Sequence, residues 1–346
     1  MNIDGLAGTG LFRGTSARGP EAISGAAMSA LRAMRTMGTL LLTAGLVSLA
    51  QAAAPKAGFQ APGFFRMQLG DFEVTSLKDA SFPLPPSILK AEADYLAPLI
   101  AGDFPSNPPN FNGSVSGFLV NTGRQLVLVD TGTGSFGNFP VSGRLLANLR
   151  ASGYQPEQVD LVLITHMHFD HVGGLVTKDG KRVFTNAVVR LSQAESDFWL
   201  SKEEAAKAPK EMQPFFDYAR KAAAPYQAVG RWKPFASDDE LAPGVRPRPL
   251  AGHTPGHSGY EFTSKGETLV QWGDTLHVAP VQFEHPDIGI AFDFDGQMAI
   301  EQRLHLIDEL ATSGAMVAAP HIAFPGLGHI LRKDGVYAWV PARYTP

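Results

Sequence analysis

Six apolar runs, each bounded by turn residues, punctuate the chain at 117–121, 125–129, 159–165, 187–191, 268–272 and 315–319. Several are rich in Val, Leu and Ile, as expected of strands with buried faces. Helical spacing lies between them. Leu145, Leu146 and Leu149 follow Ser142, which can cap a helix, and Gly153 lies beyond its end. Asp295 can cap another, in which Ile300, Leu304, Ile307 and Leu310 make one apolar stripe before Gly314. Strands alternating with helices predict an α/β fold. The Pro-rich stretch 82–109 reads as an ordered surface loop. Residues 201–240 are charged, Pro-interrupted and aromatic (Phe215, Phe216, Tyr218, Tyr226, Trp232), and read as a helical insertion or lid rather than a second domain. No internal repeat is visible.

The first 52 residues have a different pattern. Arg32 and Arg35 precede an uncharged apolar stretch at 37–50, and Ala50-Gln51-Ala52 then gives the small-x-small pattern of a signal-peptidase site. The stretch is shorter than the roughly 20 residues of a membrane span. It predicts a leader over 1–52, a mature domain over 53–346 and a periplasmic or secreted protein, with no stable membrane insertion after cleavage. An uncleaved N-terminal anchor is the alternative.

Composition narrows the chemistry. The 346 residues carry 44% hydrophobic and 18% charged side chains, which is globular. The formal charge is −4, and removal of 1–52 takes away four Arg and two acids to leave −6. That balance excludes a nucleic-acid partner held by bulk charge. Cysteine is absent, which excludes disulfides, thiolate metal sites and thiol catalysis. A metal site in this chain has to be built from His and carboxylates.

His166, His168, Asp170 and His171 directly follow the 159–165 strand. In an extended segment His166 and His168 project to one side, and Gly173-Gly174 permits a tight bend beyond them. Three imidazoles and a carboxylate within six residues are too dense for a core. The donor set suits zinc, and also manganese, iron or cobalt. His253, Asp274 and His321 fall at further strand ends or turns. Singly, each has an ordinary structural explanation. Together with the first cluster they make five His and two Asp, too many for one tetrahedral ion and suited to two metals sharing a carboxylate.

This H-x-H-x-D-H constellation resembles the metallo-β-lactamase superfamily over nearly all of the mature chain. The resemblance implies an αββα sandwich with two divalent ions at one edge, between the sheets. It implies that His166, His168 and His253 hold one ion, that Asp170, His171 and His321 hold the other, and that Asp274 bridges them. Asp170 and Asp274 are then the candidate catalytic carboxylates. Asp130, in Asp130-Thr131-Gly132, matches a position that supports the metal loop, and His257 reads as a structural turn residue. His285, His305 and His329 receive no role.

Within the superfamily the chain is similar to the methyl parathion hydrolase group and its lactonase relatives. The likeness is carried by stretches such as FRMQLGD at 65–71, GYQPEQVD at 153–160 and FPGLGHI at 324–330. It implies a substrate pocket bordered by Phe136, Trp199 and Phe215. His277, Ile290 and Phe292 stand where the organophosphate specialists are expected to carry Leu, Thr and Leu. So filled, the pocket implies a lactone- or aryl-ester-cleaving enzyme with promiscuous phosphotriester hydrolysis, in which a metal-bridging hydroxide attacks the substrate. A dedicated organophosphate hydrolase is the alternative, and a periplasmic metal-binding protein the non-enzymatic one. A homodimer is implied by resemblance alone. A class B β-lactamase lacks its Cys here, a glyoxalase II-like thioesterase lacks a basic cluster, and an aspartic protease lacks a second Asp-Thr-Gly.

Overall fold

The computed structural model describes residues 54, 56–102, 110–237 and 239–344. The leader and its cleavage site therefore lie outside the described residues. The chain divides into two units, 1–60 and 61–346, and the second carries everything below.

Two six-stranded sheets form the centre. The first has the order β1 (Phe64–Leu69), β2 (Phe72–Leu84), β3 (Phe111–Asn121), β4 (Leu126–Val129), β5 (Leu161–Leu163) and β6 (Val188–Arg190). The second runs from β12 (Val336–Pro341) through β11 (Leu327–Lys333), β10 (Met316–Ala318), β9 (Glu267–Gln271) and β8 (Ser258–Ser264) to β7 (Val245–Pro249). Pairing is parallel at β4–β5, β5–β6 and β9–β10, and antiparallel elsewhere. All six anticipated strands are present. β3 begins six residues earlier than its apolar run, because Asn112, Gly113, Ser114 and Ser116 interrupt that run without breaking the pairing to β2.

The period of two explains why these strands are apolar on both sides. In β4, Val127 and Val129 face the space between the sheets, while Leu126 and Leu128 face outward into a helical layer. The inter-sheet core adds Phe118, Tyr260, Phe262 and Leu327. Outside the first sheet lie α2 (Leu145–Ala151), α4 (Gln193–Leu200), α5 (Lys202–Lys207) and α6 (Gln213–Gln227); α1 (Ala93–Gly102) precedes them in the chain, and the one-turn α3 (Phe169–Val172) falls between α2 and α4. Outside the second lies α8 (Gly296–Ser313), preceded by the short α7 (Ala279–Gln282). This is the expected αββα sandwich. Among the described residues no helix is long and apolar enough to cross a membrane.

Three local expectations are corrected. The 82–109 stretch is not a loop throughout: β2 extends to Leu84 and α1 buries Leu96 and Ile100 one turn apart, although Pro98 lies inside it. Residues 103–109 lie outside the described ones. Ser142 does not cap α2; its hydroxyl donates to the Phe139 carbonyl. The N-terminus of α2 is instead met by Asp79 of β2, whose buried carboxylate accepts from Leu145 N (3.0 Å), Thr133 N (2.8 Å) and Thr133 Oγ1 (2.7 Å). Burial pushes that carboxyl upward, and these hydrogen bonds oppose the shift. In α8, Asp295 does cap, accepting from Met298 N at 3.0 Å. The buried face, however, is Ala299, Arg303, Leu306, Ile307 and Leu310, with Leu304 40% exposed. A buried arginine turns the stripe, for a reason found in the site.

Candidate active site

The C-terminal ends of the parallel strands open at one edge of the sandwich, the usual place for a site in such sheets. β4 delivers Asp130, β5 delivers His166 to His171, β9 delivers Asp274 and β10 delivers His321. His253 comes from the turn between β7 and β8. All seven expected ligand residues are brought together.

Their ligand atoms form two groups. In the first, His166 Nε2 lies 3.0 Å from His168 Nδ1, which lies 3.2 Å from His253 Nε2. Asp274 Oδ2 closes the group at 3.2 Å from His253 Nε2 and 3.5 Å from His166 Nε2. In the second, Asp274 Oδ1 lies 3.2 Å from His171 Nε2 and 3.1 Å from His321 Nε2. Asp170 Oδ2 lies 3.6 Å from the former and 3.8 Å from the latter. Zinc–nitrogen bonds of 2.0–2.1 Å in a tetrahedron give donor separations of about 3.3 Å. Both groups are close to that spacing, with one Asp274 oxygen in each. His171 Nε2 and Asp274 Oδ1 are buried and have no hydrogen-bond partner, so two donors of the second group await an acceptor of their lone pairs. The residues fit divalent metals.

The far side of most rings is anchored. His171 Nδ1 lies 2.9 Å from Asp130 Oδ2, and the same carboxylate accepts from Thr165 N and Thr165 Oγ1, both at 2.9 Å. This is the supporting position expected of Asp130. His253 Nδ1 lies 2.9 Å from Asp293 Oδ1, and His321 Nδ1 lies 2.7 Å from the Ser114 carbonyl. Each such contact fixes the tautomer that leaves Nε2 for a metal. His257 Nδ1 donates to the Leu250 carbonyl and its Nε2 accepts from Asp274 N, both at 2.9 Å, so it holds the turn that presents Asp274. Gly173 and Gly174 pack against the Thr133 and Thr131 carbonyls, where any Cβ would collide with backbone.

The carboxylates and imidazoles of the cluster shift one another's titration. Burial would raise Asp274, but His171, His321, His166 and His277 outweigh it and hold the carboxyl far below its usual range. Burial would lower His253, yet Asp274 and Asp293 lift it to about 9. His171 and His321 are likewise raised, in both cases because carboxylates led by Asp274 overcome burial. Burial dominates at His166 and His168, which are lowered.

Two supporting carboxylates were not anticipated. Glu195 of α4 is completely buried and accepts from Met167 N (2.8 Å), Thr254 Oγ1 (2.7 Å) and Gly256 N (2.9 Å), which ties the His166–His168 loop to the His253 loop. Its sequence signal, Ser192-x-x-Glu195, reads as a capping box; Ser192 does cap, but the Glu side chain turns to the metal loops. Asp293 is backed by Arg303, whose Nη2 is 3.7 Å from Asp293 Oδ2. Arg303 also donates to the Thr275, Pro286 and Ile288 carbonyls, which is why α8 buries an arginine.

Over the cluster lies a cavity of about 440 Å³. Its walls are Phe82, Phe139, Phe169, Phe215, Phe292 and Phe294, and among the described residues no Lys or Arg lines it. Phe82 and Phe139 stack at 4.5 Å, and Phe82 fits because Gly113 opposite it has no side chain. His277, Phe292 and Phe215 line the cavity as expected. Trp199, Phe136 and Ile290 do not. Trp199 is buried behind His168, at 5.4 Å between rings. Phe136 stacks on Tyr218 outside the cavity. Ile290 is buried among Leu89, Val278 and Val281. These three are bulky apolar groups in helices or next to them, and packing claimed them. The 201–240 segment contributes Pro209 and Met212 as well as Phe215.

The metallo-beta-lactamase superfamily model matches residues 111–321, which contain every candidate ligand. The chain belongs to the metallo-beta-lactamase superfamily. The crystal structure of AbOPH, a hydrolase of the beta lactamase superfamily, matches with TM-score 0.79 and 40% identity over 83% of this chain and 100% of that one. AidC, a dizinc quorum-quenching lactonase in complex with a product, N-hexnoyl-L-homoserine, matches with TM-score 0.75 and 26% identity over 82% and 99%. An N-acyl homoserine lactonase of Bacillus thuringiensis is 27% identical over 203 residues, 53% of this chain and 71% of that protein. This superfamily member is a metal-dependent hydrolase with lactonase relatives.

Proposed function

We propose that the protein is a dinuclear hydrolase of neutral lactones and aryl esters, with phosphotriester hydrolysis as a side activity. The carrying observation is the cavity: six phenylalanines over a His/Asp floor, with no lysine or arginine in the lining among the described residues. An anionic substrate such as a glutathione thioester would enter without a cationic partner, which costs desolvation with nothing in return. A neutral acyl or aryl group gains from the aromatic walls.

His166, His168, His253 and Asp274 would hold one divalent ion, and Asp170, His171, His321 and Asp274 the other, with zinc favoured by the donors. When bound, such a pair lowers the pKa of a water toward neutrality and polarises the substrate carbonyl. Asp274 holds the two sets of imidazoles together through separate oxygens. Asp130, Asp293 and the Ser114 carbonyl orient His171, His253 and His321. Asp170, at 15% exposure the more accessible of the two ligand carboxylates, is placed to pass a proton toward the departing alkoxide. The phenylalanines seat the acyl or aryl part and exclude water around the scissile bond. The same reading takes 1–52 as an export leader and the mature protein as periplasmic or secreted.

The test is a panel of dihydrocoumarin, acyl-homoserine lactones, aryl esters, methyl parathion and nitrocefin. Lactones or aryl esters should give the highest kcat/KM. A dominant rate on methyl parathion would favour a dedicated organophosphate hydrolase. Two bound metals without turnover of any of them would leave a metal-binding protein.

A further inference from the structure

A third set of donors shares the cluster. His277 Nε2 lies 3.1 Å from Asp274 Oδ2, and His321 Nε2 lies 3.1 Å from the same oxygen. The two imidazoles are stacked at 4.9 Å with 15° between their planes, so both present Nε2 to one carboxylate. The three ligand atoms lie within 4.8 Å of one another, and His277, Asp274 and His321 are 7%, 4% and 7% exposed. The two separations from Asp274 Oδ2 match those of the groups already described, near the tetrahedral edge of about 3.3 Å.

We propose that Asp274, His277 and His321 form an alternative seat for the second metal ion, exclusive of the seat made by Asp170, His171 and His321. The exclusion follows from His321. Its Nε2 has one lone pair, and its Nδ1 is committed to the Ser114 carbonyl, so it ligates one ion at a time. The second ion is thus distributed between two positions, and metal content stays at two rather than three. The His277 seat is the more pliant. Whereas Nδ1 of His171, His253 and His321 each meets an oxygen, Nδ1 of His277 is buried without a partner, so no hydrogen bond anchors that ring on the side away from Asp274. His277 then has a role on the metal floor in addition to its place in the cavity lining.

The inference rests on the dinuclear reading above, and the test separates the two. Metal content is measured after zinc loading and desalting for wild type, for Asp170→Ala/His171→Ala, and for that variant with His277→Leu added. Wild type should hold two ions. The double variant, which removes two donors of the first seat, should still hold two, and the triple variant one. Equal content in the double and triple variants overturns the alternative seat while leaving the dinuclear reading intact. Fewer than two ions in wild type overturns the dinuclear reading itself. Should the double variant fail to fold by near-ultraviolet circular dichroism, anomalous diffraction from zinc-loaded wild-type crystals decides. Density for the second ion within bonding distance of His277 Nε2 supports the seat, and density confined to Asp170, His171 and His321 at every loading overturns it.

Discussion

His253 Nδ1 lies 2.9 Å from Asp293 Oδ1, and this contact leaves Nε2 of the same ring facing His168 and Asp274. An ionised carboxylate only accepts, so Nδ1 must donate. Asp293 in turn leans on the buried Arg303. Asp293→Asn should therefore weaken metal binding by roughly 10–100-fold, the usual effect of losing such a partner. Asp293→Ala should also lower stability by about 3–5 kcal/mol, because Arg303 is left buried without its counter-charge. Competition titration with a chelator and thermal unfolding check the two parts. Unchanged affinity in Asp293→Asn would remove Asp293 from the metal site.

Protons and metals compete for the same nitrogens. His253 in the metal-free protein is raised from 6.5 to about 9, since Asp274 and Asp293 outweigh burial. A group raised on folding stabilises the fold fully below its unfolded value, and that contribution is lost as pH rises through about 9. Metal binding runs the other way, because Nε2 must shed its proton first. Below about 9, affinity should rise with pH by up to tenfold per unit from His253 alone. Calorimetry at pH 7 in buffers of different ionisation enthalpy should show at least about one proton released on loading. No buffer dependence would contradict this.

Glu195 offers a stability test away from the metals. Burial raises its carboxyl, although bonds from Met167, Thr254 and Gly256 pull it down. A raised acid binds its proton more tightly when folded, so its contribution falls as pH rises through the folded value, and at pH 7 its ionisation is a cost. Glu195→Gln should remove that cost while keeping much of the hydrogen bonding, and change stability by within about 1 kcal/mol. Glu195→Ala strands two backbone N–H groups and should cost roughly 3 kcal/mol. Denaturant titration distinguishes them, and equal losses would show that the carboxylate does no more than fill space.

Phe292 and Ile290 were expected to act together on substrate choice, yet only Phe292 lines the cavity. Phe292→Leu should raise the kcat/KM ratio of methyl parathion over dihydrocoumarin by about tenfold, as room opens for a second alkoxy group. Ile290→Thr buries a hydroxyl among Leu89, Val278 and Val281 and should cost about 2 kcal/mol with less effect on that ratio. Steady-state kinetics with both substrates, beside unfolding curves, would expose the reverse order.

Export has its own readout. The N-terminus of protein recovered from its natural host should begin close to Ala53. An intact 1–52 segment on the soluble cytoplasmic protein would remove the leader.

The ligands were legible because their chemistry is concentrated: His166 to His171 fall in six consecutive positions, and His253, Asp274 and His321 each end a strand or a turn. The strands were legible where Val and Leu run without interruption. What escaped depends on partners far along the chain. Asp79 meets the N-terminus of a helix 66 residues away. Glu195 carries a local capping signal but spends its carboxylate on two distant loops. Arg303 occupies a helix face that periodicity assigned to Leu304, because carbonyls before α8 need a donor. Trp199 and Phe136 were placed in the pocket by resemblance alone; by residue type each reads as core packing, and that is where the structure puts them.

The ligand-bearing loops are locked by backbone contacts such as Gly173 against the Thr133 carbonyl, where no side chain can be added. Apart from Phe169, which sits in the ligand loop itself, the phenylalanines above them come from four separate segments: β2, the loop after β4, α6 and the loop before α8. Variation in one of these segments can therefore accumulate while the ligand-bearing loops keep their own backbone contacts. A lineage built on this plan can explore new substrates by exchanging one ring at a time, each step keeping a competent hydrolytic centre, so its substrate range can diversify far faster than its chemistry.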